Sequence, residues 1–208
     1  MVDGGMNSVV GSVVDRLVAG LALLVLTPLL LLIALAVRVS SPGPVVFRQR
    51  RVGRHGRTFE IYKFRTMVDG ADRMAANVSP DGDPRVTPVG RVLRSWYLDE
   101  LPQLVNVLKG DMSLVGPRPE TPEYVARYTP AERAVLSVRP GLAGPSTLAF
   151  MHEAELLAAS GDARAHYETV LLHQRVQEDL RYLEERSLGY DMRLLSRQVM
   201  AILRKGAG

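Results

Sequence analysis

The sequence predicts a helix-rich α/β protein held on a membrane, and three features carry that expectation. An uncharged apolar run extends from Leu17 to Val37, bounded by Arg16 and Arg38. Two short stretches behind it, Val45 to Phe47 and Thr58 to Phe64, have the β-branched and aromatic content of strands. Most of the remainder carries apolar residues at helical spacing between loops rich in Gly and Pro.

The apolar run comes first. About 20 apolar residues suffice for a helix to cross a bilayer. A cleaved signal peptide is not expected, because no small-x-small site follows and a basic block does. Pro28 lies near the middle of the run, where it lacks an N–H and crowds the carbonyl four residues back. Thr27 is placed to satisfy one freed backbone group. Hydropathy leaves two shapes open, a kinked spanning helix or a helix–break–helix hairpin.

Next, Ser41-Pro42-Gly43-Pro44 forms an exit turn, and Arg54-His55-Gly56-Arg57 separates the two strand candidates. The stretch from Asp69 to Pro88 reads as loop around a short helix at Ala71 to Ala76. Leu98, Leu101, Leu104, Val105 and Leu108 form one helical stripe, with Pro102 in the first turn and Gly110 at the end. Val115-Gly116-Pro117-Arg118-Pro119 must be a rigid loop. Glu120 to Val138 and His166 to Glu185 are further helix candidates. The run from Tyr190 to Leu203 suits either a membrane surface or packing on the domain.

Composition narrows the chemistry. The 208 residues include no cysteine, which excludes disulfides and cysteine nucleophiles, and the four histidines fall in no zinc-hydrolase pattern. A hydrophobic content of 47% supports an ordinary core. The net charge of +4 is unevenly spread: Arg48, Arg50, Arg51, Arg54, Arg57, Lys63 and Arg65 follow the apolar run closely. Such a block attracts anionic lipids, nucleic acid or phosphorylated small molecules.

Asp99 and Glu100 are adjacent carboxylates at a predicted helix start, where the helix dipole and unpaired N–H groups favour negative charge. Such a carboxylate serves as a nucleophile or magnesium ligand, or simply as an N-cap. Arg94 precedes the pair, and prolines flank Arg118; Arg139 stands before Pro140-Gly141. The rigid guanidinium fork matches phosphate oxygens, so the set suits a diphosphate substrate at a membrane surface.

At this point the sequence resembles the bacterial sugar transferase family, the monotopic polyprenol-phosphate phosphoglycosyl transferases. The resemblance rests on Gly43-Pro44-Val45-Val46-Phe47 with Gln49, Arg51 and Gly53, on Phe59 to Met67, and on Leu98-Asp99-Glu100-Leu101-Pro102-Gln103-Leu104. It continues through Asn106 to Pro119 and Arg139-Pro140-Gly141. Family resemblance implies transfer of a sugar 1-phosphate from a nucleotide-sugar, a UDP-sugar, to polyprenol phosphate through a covalent intermediate on Asp99. It implies Glu100 as the partner carboxylate, Mg2+ contacted by Asp99, and Lys63, Arg94, Arg118 and Arg139 as substrate-binding residues. Asp179 and Asp191 match acidic positions in the family's C-terminal part. Thr27-Pro28 matches the break of the family's re-entrant hairpin, and Asp15 its N-terminal acidic residue. The same resemblance places a membrane anchor at 1–40 and a catalytic domain at 41–208, on the cytoplasmic face of the bacterial inner membrane. Membrane lipids are expected partners and nucleic acid is not; a homo-oligomer is compatible with the chain.

Gly11 and Ser12 depart from the family's usual basic residues, Trp96 from a small hydroxyl residue, and Pro145-Ser146-Thr147 from Trp-x-Gln. The last departure marks a candidate sugar-selecting region. Two alternatives compete: a phosphohydrolase acting on nucleotide-sugars or lipid diphosphates, and a membrane-tethered nucleic-acid-binding module. The paired carboxylates and the lack of nucleic-acid-binding signatures weigh against the second.

Overall fold

The computed structural model describes residues 9–74 and 78–205. Helix α1 (Val9–Ser40) is followed by a β-hairpin, β1 (Val46–Val52) and β2 (Thr58–Phe64). Then come α2 (Ala71–Met74), α3 (Pro88–Ser95), α4 (Gln103–Lys109) and β3 (Ser113–Val115). After α5 (Pro122–Val125), β4 (Gly141–Ala143) pairs in parallel with β3. Helices α6 (Pro145–Ala149), α7 (Glu153–Ala159), α8 (Ala163–His166), α9 (Leu172–Glu185) and α10 (Leu188–Lys205) complete the described chain. The helix-rich expectation holds.

Helix α1 is rich in Leu and Ala, strong helix formers, and continues without a non-helical residue through Pro28. The expected break at Thr27-Pro28 is therefore not an interruption of the helix. The Thr27 hydroxyl donates to the Leu23 carbonyl at 2.7 Å, one residue before the carbonyl that Pro28 leaves without its usual donor. The helix is long and apolar enough to cross a membrane, yet only 11% of its most apolar stretch is buried. Leu24, Val25, Leu31 and Leu32 are each 65–72% exposed.

The opposite side of α1 is core. Ala19, with Leu23 and Leu26, packs against Leu104 and Val107, while Ile33 and Val37 join Phe64 and Leu93. Near its start, buried Asp15 accepts a 2.5 Å hydrogen bond from the Ser113 hydroxyl. At its end, the Arg65 guanidinium donates to Ser41 O at 2.7 Å and Val37 O at 3.4 Å, capping the last carbonyls. Both ends of the helix are thus fastened to one domain.

The hairpin pairs Val46 with Phe64 and Val52 with Thr58. His55 (φ 57°) and Gly56 (φ 76°) turn the chain in the expected place. The first strand is longer than Val45 to Phe47 because pairing with β2 carries it to Val52. The free edge of β2 is closed by Asn106, whose side chain accepts from Tyr62 N at 3.0 Å and donates to Glu60 O at 2.7 Å.

Other expectations shift. The stripe from Leu98 to Leu108 divides into a 3-10 turn, Leu98–Glu100, and α4, with Gly110 capping the latter at φ 86°. Glu120 to Val138 is no single helix but α5 and a 3-10 segment, Glu132–Ser137, because Pro130 interrupts it. The short helix expected at Ala71 to Ala76 is present at Ala71–Met74; Ala75 and Ala76 lie outside the described residues. Helix α10 buries Leu194 against the domain and leaves Met192, Val199 and Met200 exposed.

Candidate active site

Helix α3 begins with Thr87, whose hydroxyl accepts from Gly90 N at 2.9 Å, and Pro88 occupies the first turn. Gly90 is pressed onto the end of β2: a Cβ there would lie 2.0 Å from Thr66 O. That contact brings Arg94, in the last turn of α3, alongside Thr66 and Ser79, with hydrogen bonds of 2.9 and 2.7 Å. Tyr97 then adopts a left-handed conformation (φ 55°, ψ 20°) and turns the chain into Leu98–Glu100. A non-glycine residue in this region is uncommon and concentrates at functional sites.

The turn buries Asp99 and Glu100 side by side, but with different partners. Glu100 Oε1 receives Lys63 Nζ at 2.6 Å, from β2, and an Arg118 Nη at 3.4 Å, from the loop after β3. Asp99 makes no ion pair among the described residues. Burial would raise both carboxyls. In Glu100 the Lys63 and Arg118 charges outweigh it and hold the group well below the usual range. In Asp99 burial, reinforced by the Glu100 charge, overcomes Lys63 and Arg94 and pushes the carboxyl up to about 6.

These groups face an open cavity of about 600 Å³. Its lining includes Arg51, Lys63, Arg94, Asp99, Glu100, Arg118 and Arg175, so several cations converge around buried Asp99, which has no ion-pair partner among the described residues. Arg51 is held by Glu120 at 3.3 Å and Arg175 by Glu153. Tyr167 lies in a π-helical turn, Tyr167–Leu171, and donates to Glu120 at 2.8 Å.

The structure thus gathers Lys63, Arg94, Asp99, Glu100 and Arg118. Asp179 supports them from beneath, accepting from Arg118 N at 3.1 Å, Ser146 N at 3.3 Å and the Ser146 hydroxyl at 2.9 Å. Burial pushes its carboxyl up to about 7 against these donors. Arg139 and Asp191 do not line the cavity. The Arg139 charge acts on Asp15, and fully buried Asp191 accepts from the Tyr182 hydroxyl at 2.7 Å. Arg65, part of the basic block, caps α1. Sequence reasoning gave no role to Tyr97, Glu120, Tyr167 and Arg175; Arg51 was visible in the basic block and in the motif that carries the family resemblance.

Among the described residues no group of three His, Asp or Glu side chains converges as a metal cage. Asp99 offers a carboxylate beside a cavity that Lys63, Arg94 and Arg118 also line. Magnesium commonly binds one or two carboxylates plus substrate phosphates and water, and this donor set fits that mode.

A domain with a long apolar helix and a buried carboxylate, without an ion pair among the described residues, beside convergent cations defines the class. The bacterial sugar transferase family model matches residues 6–205, and the chain belongs to that family. It is 42% identical over 203 residues to the UDP-glucose:undecaprenyl-phosphate glucose-1-phosphate transferase of Caulobacter vibrioides, covering 92% of this chain and 68% of that protein. It is 38% identical to the UDP-N-acetylgalactosamine-undecaprenyl-phosphate N-acetylgalactosaminephosphotransferase of Aeromonas hydrophila, covering 91% of this chain but 42% of the relative. The exopolysaccharide production protein ExoY of Sinorhizobium fredii is 36% identical, with coverage of 90% and 83%.

Proposed function

We propose that this protein transfers a sugar 1-phosphate from a UDP-sugar to polyprenol phosphate, with Asp99 as the nucleophile. The observation that carries this reading is the buried, unpaired Asp99 beside Lys63, Arg94 and Arg118. In the first step an Asp99 carboxylate oxygen attacks the phosphorus bearing the sugar. The bond to the bridging diphosphate oxygen breaks, and UMP leaves with that electron pair. In the second, an oxygen of polyprenol phosphate attacks the same phosphorus, breaking its bond to Asp99 and restoring the carboxylate. Two easier displacements replace one exchange between a soluble donor and a buried lipid.

Lys63, Arg94 and Arg118 offset the diphosphate charge from positions already fixed by the fold. Glu100 fixes Lys63 and Arg118 in place; held ionised by both, it is a poor proton donor. Asp99 would hold Mg2+, which would supply further charge neutralisation. Attachment of both ends of α1 to one domain supports a re-entrant anchor that leaves by its side of entry; the cytoplasmic face for the catalytic domain is what the family resemblance implies.

The test is UMP release by purified protein in detergent with magnesium, across UDP-sugars, with and without polyprenol phosphate. Lipid-dependent release is expected, and Asp99→Asn should abolish both it and UMP–donor exchange. Equal release without lipid would identify a hydrolase, and substantial transfer by Asp99→Asn would remove Asp99 as nucleophile.

A further inference from the structure

Tyr97 combines two features that the reaction above does not use. Its backbone is left-handed two residues before Asp99, and its phenol donates to Met151 O at 3.0 Å. Met151 lies between α6 and α7, in a segment whose residues 150–155 all line the cavity. The same segment is tied elsewhere: Asp81 N donates to Ala154 O at 2.9 Å, and Glu153 pairs with Arg175. Burial pushes the Tyr97 phenol up to about 12, so it stays a donor throughout the neutral range.

We infer that Tyr97 is a positioning residue that sets the 150–155 wall against Asp99, and that this wall selects the sugar of the donor. The inference rests on the transferase reading above for its orientation. In an in-line displacement the leaving nucleotide stands opposite the attacking carboxylate, while the sugar projects to the side. We therefore place the sugar, rather than the nucleotide, against the wall fastened two residues from Asp99. It offers the Phe150 ring for a sugar face and polar groups of His152, Glu153 and Glu155 for hydroxyls. The tie sets the depth of this space, because Tyr97 is fixed at one end to the nucleophile turn and at the other to the wall.

Tyr97→Phe removes only the hydroxyl. Binding of UMP and of UDP-glucose, UDP-galactose and their N-acetylated counterparts is measured calorimetrically on wild type and variant in detergent, alongside KM and kcat for UMP release. The preference of wild type for its best sugar over the next should fall about tenfold in Tyr97→Phe, chiefly through Kd and KM, the loss expected for one hydrogen bond. Affinity for UMP, which lacks the donor's transferred sugar, should stay within about twofold, whereas general loosening of the fold would weaken every ligand together. Phe150→Leu probes the same wall without touching Tyr97 and should also change the sugar ratio; it serves if Tyr97→Phe fails to fold. An unchanged sugar ratio in the folded variants overturns the inference, as does parallel loss of UMP binding. Wild type that binds UMP and every UDP-sugar alike overturns it too. Because binding needs no turnover, a sugar ratio that shifts in the variants without lipid-dependent UMP release would defeat the transferase reading alone, whereas an unshifted ratio with lipid-dependent release would defeat this inference alone.

Discussion

At the residue scale, two neighbouring carboxylates of similar intrinsic acidity are separated by their partners. Glu100 is claimed by Lys63 and Arg118, whereas Asp99 pays for desolvation without an ion pair. Attack requires the ionised form, so kcat/KM for the donor should fall as pH drops through about 6 in the free enzyme. Glu100→Gln removes the like charge and releases both cations toward Asp99; the acid limb should move to lower pH, together with weaker overall activity. A limb that stays in place would show that another group controls it. Stability runs the opposite way. The folded-state value lies above the ordinary 3.8, so the stabilising contribution of Asp99 is greatest below that value and is lost as pH rises through about 6. Asp99→Asn should accordingly melt a few degrees higher than wild type at pH 7.5 while losing activity.

At the element scale, the site depends on how closely α3 approaches β2. Gly90 permits backbone contact with Thr66, and from that contact follow the position of Arg94 and the Tyr97 turn. Gly90→Ala would place its Cβ 2.0 Å from Thr66 O and force the helix away. Overpacking of this kind costs about 1–3 kcal/mol, so thermal unfolding should show a drop of several degrees with a disproportionate loss of activity. A variant with wild-type melting and wild-type kcat would disprove the role given to this contact. The parallel β3–β4 pair works in the same way: a Cβ on Gly141 would lie 2.0 Å from Gly116 N, at the root of the loop that carries Arg118.

At the scale of the whole molecule, the apolar helix is both a membrane element and a wall of the domain core. Ala19, Ile33 and Val37 are buried by the domain, while Leu24 and Leu32 face outward. A cut at residue 40 would therefore remove one wall of the core. The 41–208 fragment would expose Phe64, Leu93, Leu104 and Val107, each of which packs against α1 or its cluster. It should be recovered largely as aggregate and lack the cooperative melting of the full chain. A monomeric, cooperatively folding fragment on size exclusion and circular dichroism would refute this.

Much of the chemistry was legible because it is written locally. The apolar run, the hairpin turn at His55-Gly56, the Asp99-Glu100 pair and the proline-flanked Arg118 each depend on adjacent residues or fixed spacing. Local patterns determine helix, turn and loop, and with them the cast of charged groups. They do not determine which distant groups meet. That Glu100 rather than Asp99 takes Lys63, that Asp179 braces the Arg118 loop and that Arg139 lies with Asp15 are outcomes of long-range packing. The same holds for Tyr97 reaching Met151, a separation of 54 residues. The sequence by itself determined a membrane-bound, phosphate-handling chain; only the tertiary structure decided which carboxylate is left unpaired, because burial and partner choice arise when the elements close around the cavity.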